Sequence, residues 1–170
     1  MSDARSIAAV TAALVDSLAR PGPAAAVPGA LVTHFPPGSL DLEGAPCINV
    51  WLAAVVSPRP DHLILRKGEG PGRAPGLSLN LLYRLTFHGD HAAFEPHRLM
   101  GHAATALAAQ PVLSLAAIAA TIERTPVLKG CDLARTGQPL RITMVGREAD
   151  AALADPEPAL LYEVGPLALG

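Results

Sequence analysis

The stretch LSLNLLYRLTFH, residues 77–88, alternates apolar and polar side chains along almost its whole length. Successive side chains of a strand point to opposite faces, so this period of two predicts a half-buried β-strand. The odd-numbered residues form its apolar face, and Leu82 is the exception on the polar face. We therefore expect Leu81 and Leu85 to lie in the core of a sheet covered by other elements.

Three elements are predicted before this strand. An apolar side chain recurs every three or four residues over 4–20, which predicts an amphipathic helix. Prolines make 21–29 a linker within the domain, and 30–35 is a plausible short strand. The apolar run 47–56 has Asn49 as its only strongly polar member, which is typical of a central strand covered on both faces.

Two helices and two strands are predicted after it. Pro96 suits the first turn of a helix over 96–110. A second helix begins near Ser114, whose hydroxyl can cap free amides, and Pro126 ends it. Alternating apolar residues then predict strands over 140–145 and 160–164.

This element order predicts an α/β (α+β) fold with a mixed, mostly antiparallel sheet packed against flanking helices. The chain has 170 residues and 50% hydrophobic content, enough for one buried core. We therefore expect a single domain over 1–170. It carries a long exposed loop at 57–76, a segment rich in proline and glycine.

Charge, cysteine content and hydrophobic patterning limit the partners and the cellular location that can be expected for this chain. The chain has 13 basic and 15 acidic residues, a balance that argues against a nucleic-acid partner. Two cysteines are too few for a disulfide scaffold, and no secretion signal is visible at the start, so a cytoplasmic protein is expected. The charge-free stretch 101–122 contains Gln110 and Pro111, and a membrane span is rejected.

The loop over 57–76 holds the candidate partner or ring contacts. These candidates are its basic residues, Arg59, Arg66, Lys67 and Arg73. A solvated surface loop is the plain alternative. Gly68, Gly70 and Gly72 suggest a phosphate loop only superficially, because prolines obstruct the helix that such a site needs.

A histidine cluster raises the hypothesis of a metal site. Its members fall close together in sequence: His88, His91, His97 and His102. On a helix, His97 and His102 are about 500° apart, which splays them by ~140° and prevents them from sharing an ion easily. Asp90 and Glu95 could add oxygen ligands, but no known metal-binding motif includes them. We predict no metal and no cofactor.

Cys131 is the candidate nucleophile. It lies beside Asp132 and near Lys129, so a lowered thiol pKa is chemically possible. No cysteine-enzyme or GxSxG signature accompanies it, and a structural thiol is the favoured interpretation. Trp51 likewise favours core or interface packing.

Several segments together resemble one known family. They are 27–33 (VPGALVT), 47–52 (CINVWL), 77–90 (LSLNLLYRLTFHGD), 94–102 (FEPHRLMGH) and 110–113 (QPVL). Over most of 7–145 the chain is similar to the tail-cap, or tail-terminator, proteins of extracellular contractile injection systems. The segment over 146–159 is shorter than the family's and lacks its tryptophan, although Tyr162 matches the last strand.

The resemblance implies a phage tail-terminator-like fold and a structural subunit with no catalytic residue. It implies a hexameric ring that closes the end of the inner tube and sheath distal to the baseplate and stops their polymerisation. The partners would be other copies of the chain, the inner tube and the sheath, assembled in the cytoplasm into a particle that is retained or released. Two alternatives stay open: an adaptor at another joint of a phage-like or secretion assembly, and a small metal- or Cys-dependent enzyme.

Overall fold

The sheet and its helices are defined by the computed structural model, which describes residues 5–20, 22–36, 39, 44–57, 77–146 and 159–169. The strands are β1 (Leu31–Thr33), β2 (Cys47–Val56), β3 (Leu77–His88), β4 (Val112–Leu113), β5 (Leu140–Met144) and β6 (Ala159–Leu169). The helices are α1 (Ser6–Leu18), α2 (Glu95–Ala109), α3 (Leu115–Arg124) and α4 (Leu133–Thr136), with short 3-10 helices at Pro23–Ala25 and Pro126–Leu128.

These strands form one mixed sheet in the order β1-β2-β3-β6-β5-β4. β1 pairs with β2 in parallel, and the other neighbouring pairs are antiparallel. The predicted fold, a mixed and mostly antiparallel sheet with flanking helices, is confirmed. α1 and α2 pack against β2 and β3, and α3 packs against α1, so strands and helices share one hydrophobic core.

The strand β3 has the predicted bounds but not the predicted half-burial. Leu81, Tyr83 and Leu85 are fully buried, as the alternation predicts. The opposite face is covered too, because Arg84 is only 7% exposed and Asn80 is buried as well. Large residues on the neighbouring strands flank Arg84 on both sides, and periodicity along one strand cannot reveal such neighbours.

The strand β2 also has its predicted bounds, but it is covered along only part of its length. It lies second in the sheet rather than at the centre. Its first four residues are buried, whereas Val55 and Val56 are exposed. β1 pairs only with Cys47–Asn49, so in the described ranges no strand covers that edge of β2 beyond Asn49. The prediction of a strand covered on both faces is wrong for this second half.

The strand β6 is longer than the predicted 160–164. Gly165 and Pro166 look like a strand end in sequence, yet the strand continues through them to Leu169. Gly165 allows this because a Cβ there would overlap the side-chain amide of Asn80 on β3. The short elements β4 and α4 were not predicted, because two and four residues carry no readable periodicity.

The three long helices lie within a residue or two of their predicted bounds. The hydroxyl of Ser114 accepts a hydrogen bond from the amide of Ala117 at 3.1 Å, which confirms it as the cap of α3. Throughout the described part of the chain, no helix combines the length and the apolar content that crossing a membrane requires.

Candidate interaction surface

The four basic residues predicted as partner contacts lie outside the described residues. Arg59, Arg66, Lys67 and Arg73 all fall within 58–76, as do the three glycines of the rejected phosphate loop. Their roles therefore stay predictions. The acidic segment that departs from the family also lies almost wholly outside the description, at 147–158.

The histidine cluster is not assembled into a metal site. His88 Nε2 lies 2.9 Å from the hydroxyl of Thr86, and His97 makes an edge contact with the ring of Phe94. His102 is half-buried, and its Nε2 has no hydrogen-bond partner among the described residues. Among the described residues, no three His, Cys, Asp or Glu side chains lie close enough to hold a metal ion.

Both cysteines are buried, free thiols. The Sγ of Cys131 lies 4.0 Å from the hydroxyl of Ser6, and Lys129 meets Arg5 through its backbone carbonyl. Burial raises the pKa of Cys47, against a smaller opposite effect of the hydrogen bond with Thr33. A buried thiol with a raised pKa is a poor nucleophile, so Cys47 is suited to packing.

A groove of about 480 Å³ runs between α1, β2 and the chain that follows α3. Its lining comes from four separate segments and is mostly apolar: Ala8, Thr11, Ala12, Val15, Asp16, His34, Val50, Trp51, Leu52, Thr121, Thr125, Val127 and Leu128. The groove runs along Val50, Trp51 and Leu52 of β2, just beyond the part of β2 that pairs with β1. Such an apolar concave surface is suited to receiving an apolar group from a partner.

Three polar residues of the groove lining, Thr11, Asp16 and Thr121, bind polar side chains in or beside the groove. The hydroxyls of Thr11 and Tyr83 lie 2.9 Å apart, and burial raises the pKa of Tyr83 despite that hydrogen bond. Tyr83 is therefore a neutral hydroxyl at physiological pH. The carboxylate of Asp16 forms an ion pair with Arg124, accepts a hydrogen bond from Thr121, and lies 3.8 Å from Arg20. These groups form a network of hydrogen bonds and ion pairs along one side of the groove.

Next to the groove, the side chain of Asn49 binds Thr33 and Phe35 at the edge of the sheet. Its Oδ1 accepts hydrogen bonds from the Thr33 hydroxyl and the Phe35 amide, both at 2.9 Å. Its Nδ2 donates to the carbonyl of Phe35 at 3.1 Å. The Asn49 side chain thus binds the backbone just beyond β1, where the hydrogen bonds between β1 and β2 have ended. A single polar residue in an apolar run was the sequence signal for this role, but its partners are not predictable from sequence.

Large apolar side chains remain exposed at several points of the described surface. They are Leu31, Phe35, Val55, Val56, Leu77, Phe94, Val112, Val127 and Met144. Val55 and Val56 end β2, and Leu77 begins β3, so these three lie at one end of the sheet, where the segment 57–76 leaves and re-enters it. Exposed apolar patches of this kind mark candidate protein-binding surfaces.

Comparison with known proteins identifies both a family and a fold. A family model described as the Pvc16 N-terminal domain matches residues 9–154. The chain shares its fold with the PVC sheath/tube terminator in the extended state, from a cryo-EM structure of an extracellular contractile injection system, at a TM-score of 0.53 and 15% identity. The match covers 96% of this chain and 55% of the terminator, so this chain spans about half the terminator's length. No curated protein matches the chain significantly.

Proposed function

Because the chain belongs to the Pvc16 N-terminal domain family, we propose that it is a structural terminator of a contractile injection system. It caps the sheath and inner tube at the end distal to the baseplate. The observation that carries the proposal is the fold shared with a sheath/tube terminator along nearly the whole chain. Copies of the chain form a hexameric ring, and assembly takes place inside the producing cell.

A terminator needs a particular surface rather than a reaction. A growing polymer adds subunits as long as its last ring presents unpaired strand edges and apolar rims. A cap must bind that rim and offer no equivalent surface for the next ring. The exposed apolar side chains supply binding surface, as does the edge of β2 that no described strand covers beyond Asn49. Thr11 and Asp16 of the groove are engaged with polar neighbours. These features support a non-enzymatic role.

The surface that meets tube or sheath is proposed at the end of the sheet around the loop over 57–76. Val55, Val56 and Leu77 form an apolar rim there. The basic residues of the loop, Arg59, Arg66, Lys67 and Arg73, follow that rim in sequence and would add charge contacts at its edge. An apolar centre with a charged border is the usual anatomy of a protein interface.

Sedimentation with partly assembled particles tests this proposal. The purified chain should sediment with tube and sheath prepared without a cap. Replacing Arg59, Arg66, Lys67 and Arg73 with glutamine should leave the melting temperature unchanged and weaken binding by about tenfold or more, since charged rim contacts speed encounter and fix orientation. The matched control replaces Arg135 and Arg141, two exposed arginines elsewhere in the chain, and should bind normally.

Two outcomes would each overturn a different part of the proposal. Sedimentation with baseplate components alone would favour the adaptor function instead. Full binding by the glutamine variant would remove the basic loop from the contact surface while leaving the terminator function standing.

A further inference from the structure

We propose that Phe94 of one copy docks in the groove of the next copy around the ring, where the groove is the surface between α1, β2 and residues 121–128. The inference rests on the ring of the proposed function. It assigns the contact that joins neighbouring copies. Its two parts are an exposed aromatic side chain held in place by the fold and an apolar groove elsewhere on the same chain.

Phe94 has no role in its own core. Its side chain is 66% exposed, and its φ of 55° lies in the left-handed region that residues other than glycine rarely adopt. Its ring meets His97 in an edge contact. Folding alone would favour glycine or asparagine at such a position. A strained backbone carrying an exposed aromatic ring indicates a function outside the subunit.

The turn before α2 holds this conformation in place. The carboxylate of Glu95 accepts the amide hydrogen of Asp90 at 2.8 Å, and Asp90 in turn accepts the amide of Ala92 at 2.8 Å. The amide of Phe94 donates to the carbonyl of His91 at 3.2 Å. Because the turn is already ordered, docking the ring costs little further conformational entropy. Rigid aromatic anchors of this kind dominate many protein interfaces.

The groove fits an aromatic ring in size and chemistry. Its volume is about 480 Å³, and the small side chains of Ala8 and Ala12 leave its α1 wall open. An aromatic side chain gains by burying ~150–250 Å² against such a wall. None of residues 89–109 lines the groove, so Phe94 of the same copy lies outside it. If Phe94 docks in this groove, it must therefore be the Phe94 of another copy.

Charge and symmetry both favour a second copy as the partner. The carboxylates of Asp90 and Glu95 lie beside Phe94, with one guanidinium, that of Arg98, a turn further along α2. Arg20 and Arg124 both lie within ion-pair distance of Asp16, a residue of the groove lining. These groups sum to a negative charge around Phe94 and to a positive charge around Asp16, so the two surfaces are complementary. A projecting group and a recess on different surfaces give a head-to-tail contact, which closes into a ring when the rotation between copies fits.

Native mass measurement of single variants is the first half of the test. The wild-type chain should form a ring, and Phe94→Asn should be monomeric. Asparagine tolerates the left-handed conformation, so at concentrations low enough for both proteins to be monomeric the melting temperature of this variant should equal or exceed that of the wild type. If Phe94 served only to stabilise its own subunit, the variant would be less stable. Loss of the ring without loss of stability therefore indicates a contact between copies. Val112→Asn, at another exposed apolar residue, is the matched control and should keep the ring.

A mixing experiment is the second half. Ala8→Trp fills the groove and should be monomeric alone, whereas Ala108→Trp, on an exposed position of α2, should keep the ring. Mixing Phe94→Asn with Ala8→Trp restores one intact contact, from the Phe94 of one variant to the groove of the other. The mixture should therefore give a one-to-one dimer that grows no further.

The outcomes separate this contact from the function it serves. A ring that persists in Phe94→Asn, or a mixture that stays monomeric, overturns the contact and leaves the terminator proposal intact. A wild-type chain that is itself monomeric overturns both the contact and the proposed ring.

Discussion

We expect Leu85→Asp to unfold the chain and Leu77→Asp to leave it folded. Both leucines belong to β3, but Leu85 is completely buried and Leu77 is 55% exposed. Leu85 lies between Val50 of β2 and Leu160 of β6, its partners across the two strand pairs. A carboxylate there would be removed from water with no described cation facing it.

The expected size of this effect follows from general energetics. Burying an unpaired charge is one of the few changes that cost more than about 4–5 kcal/mol. A domain of this kind is stable by only ~5–15 kcal/mol, so the change removes at least about a third of its stability and, towards the lower end of that range, all of it. Circular dichroism with thermal and urea unfolding measures it. Equal unfolding midpoints for Leu85→Asp and the wild type would refute the burial of Leu85.

We expect Asn49→Ala to destabilise the chain by about 2–4 kcal/mol, the second largest effect predicted here for a single change. Asn49 is 2% exposed, and its amide makes three hydrogen bonds to Thr33 and Phe35. Alanine leaves those partners unsatisfied where β1 ends, and the chain beyond β1 is then released from the sheet. Urea unfolding gives the free energy, and hydrogen exchange at the Phe35 amide reports the local release.

Asn80→Ala is the matched control for this prediction. Asn80 is also a buried asparagine in a strand, but its Oδ1 has no hydrogen-bond partner, and its Nδ2 donates to Glu163 at 2.9 Å. Removing it therefore loses fewer hydrogen bonds, and the expected loss is about 1 kcal/mol. Similar losses for the two variants would show that Asn49 does not anchor the edge of the sheet.

Periodicity within a segment made much of the fold predictable. The bounds of β2 and β3 follow from their apolar patterns, and the cap of α3 follows from Ser114. The family predicted from the same segments is confirmed by the match over 9–154. In each case the information lies in neighbouring residues of the chain.

Features that depend on contacts between distant segments were not predictable. The burial of Arg84 depends on its neighbours in β2 and β6, and the continuation of β6 through Gly165 depends on Asn80 of β3. The groove is lined by four segments that only the fold brings together. Phe94 was part of a recognised motif, but its left-handed backbone is a property of the folded turn.

The central claim is that the chain ends a polymer by binding its last ring. Its most direct test is the length of particles from a producer lacking the gene, measured by electron microscopy. We expect a broad distribution of lengths with incompletely closed distal ends, and we expect the wild-type gene to restore uniform particles. Particles of normal length, yield and end structure in the absence of the chain would contradict the claim.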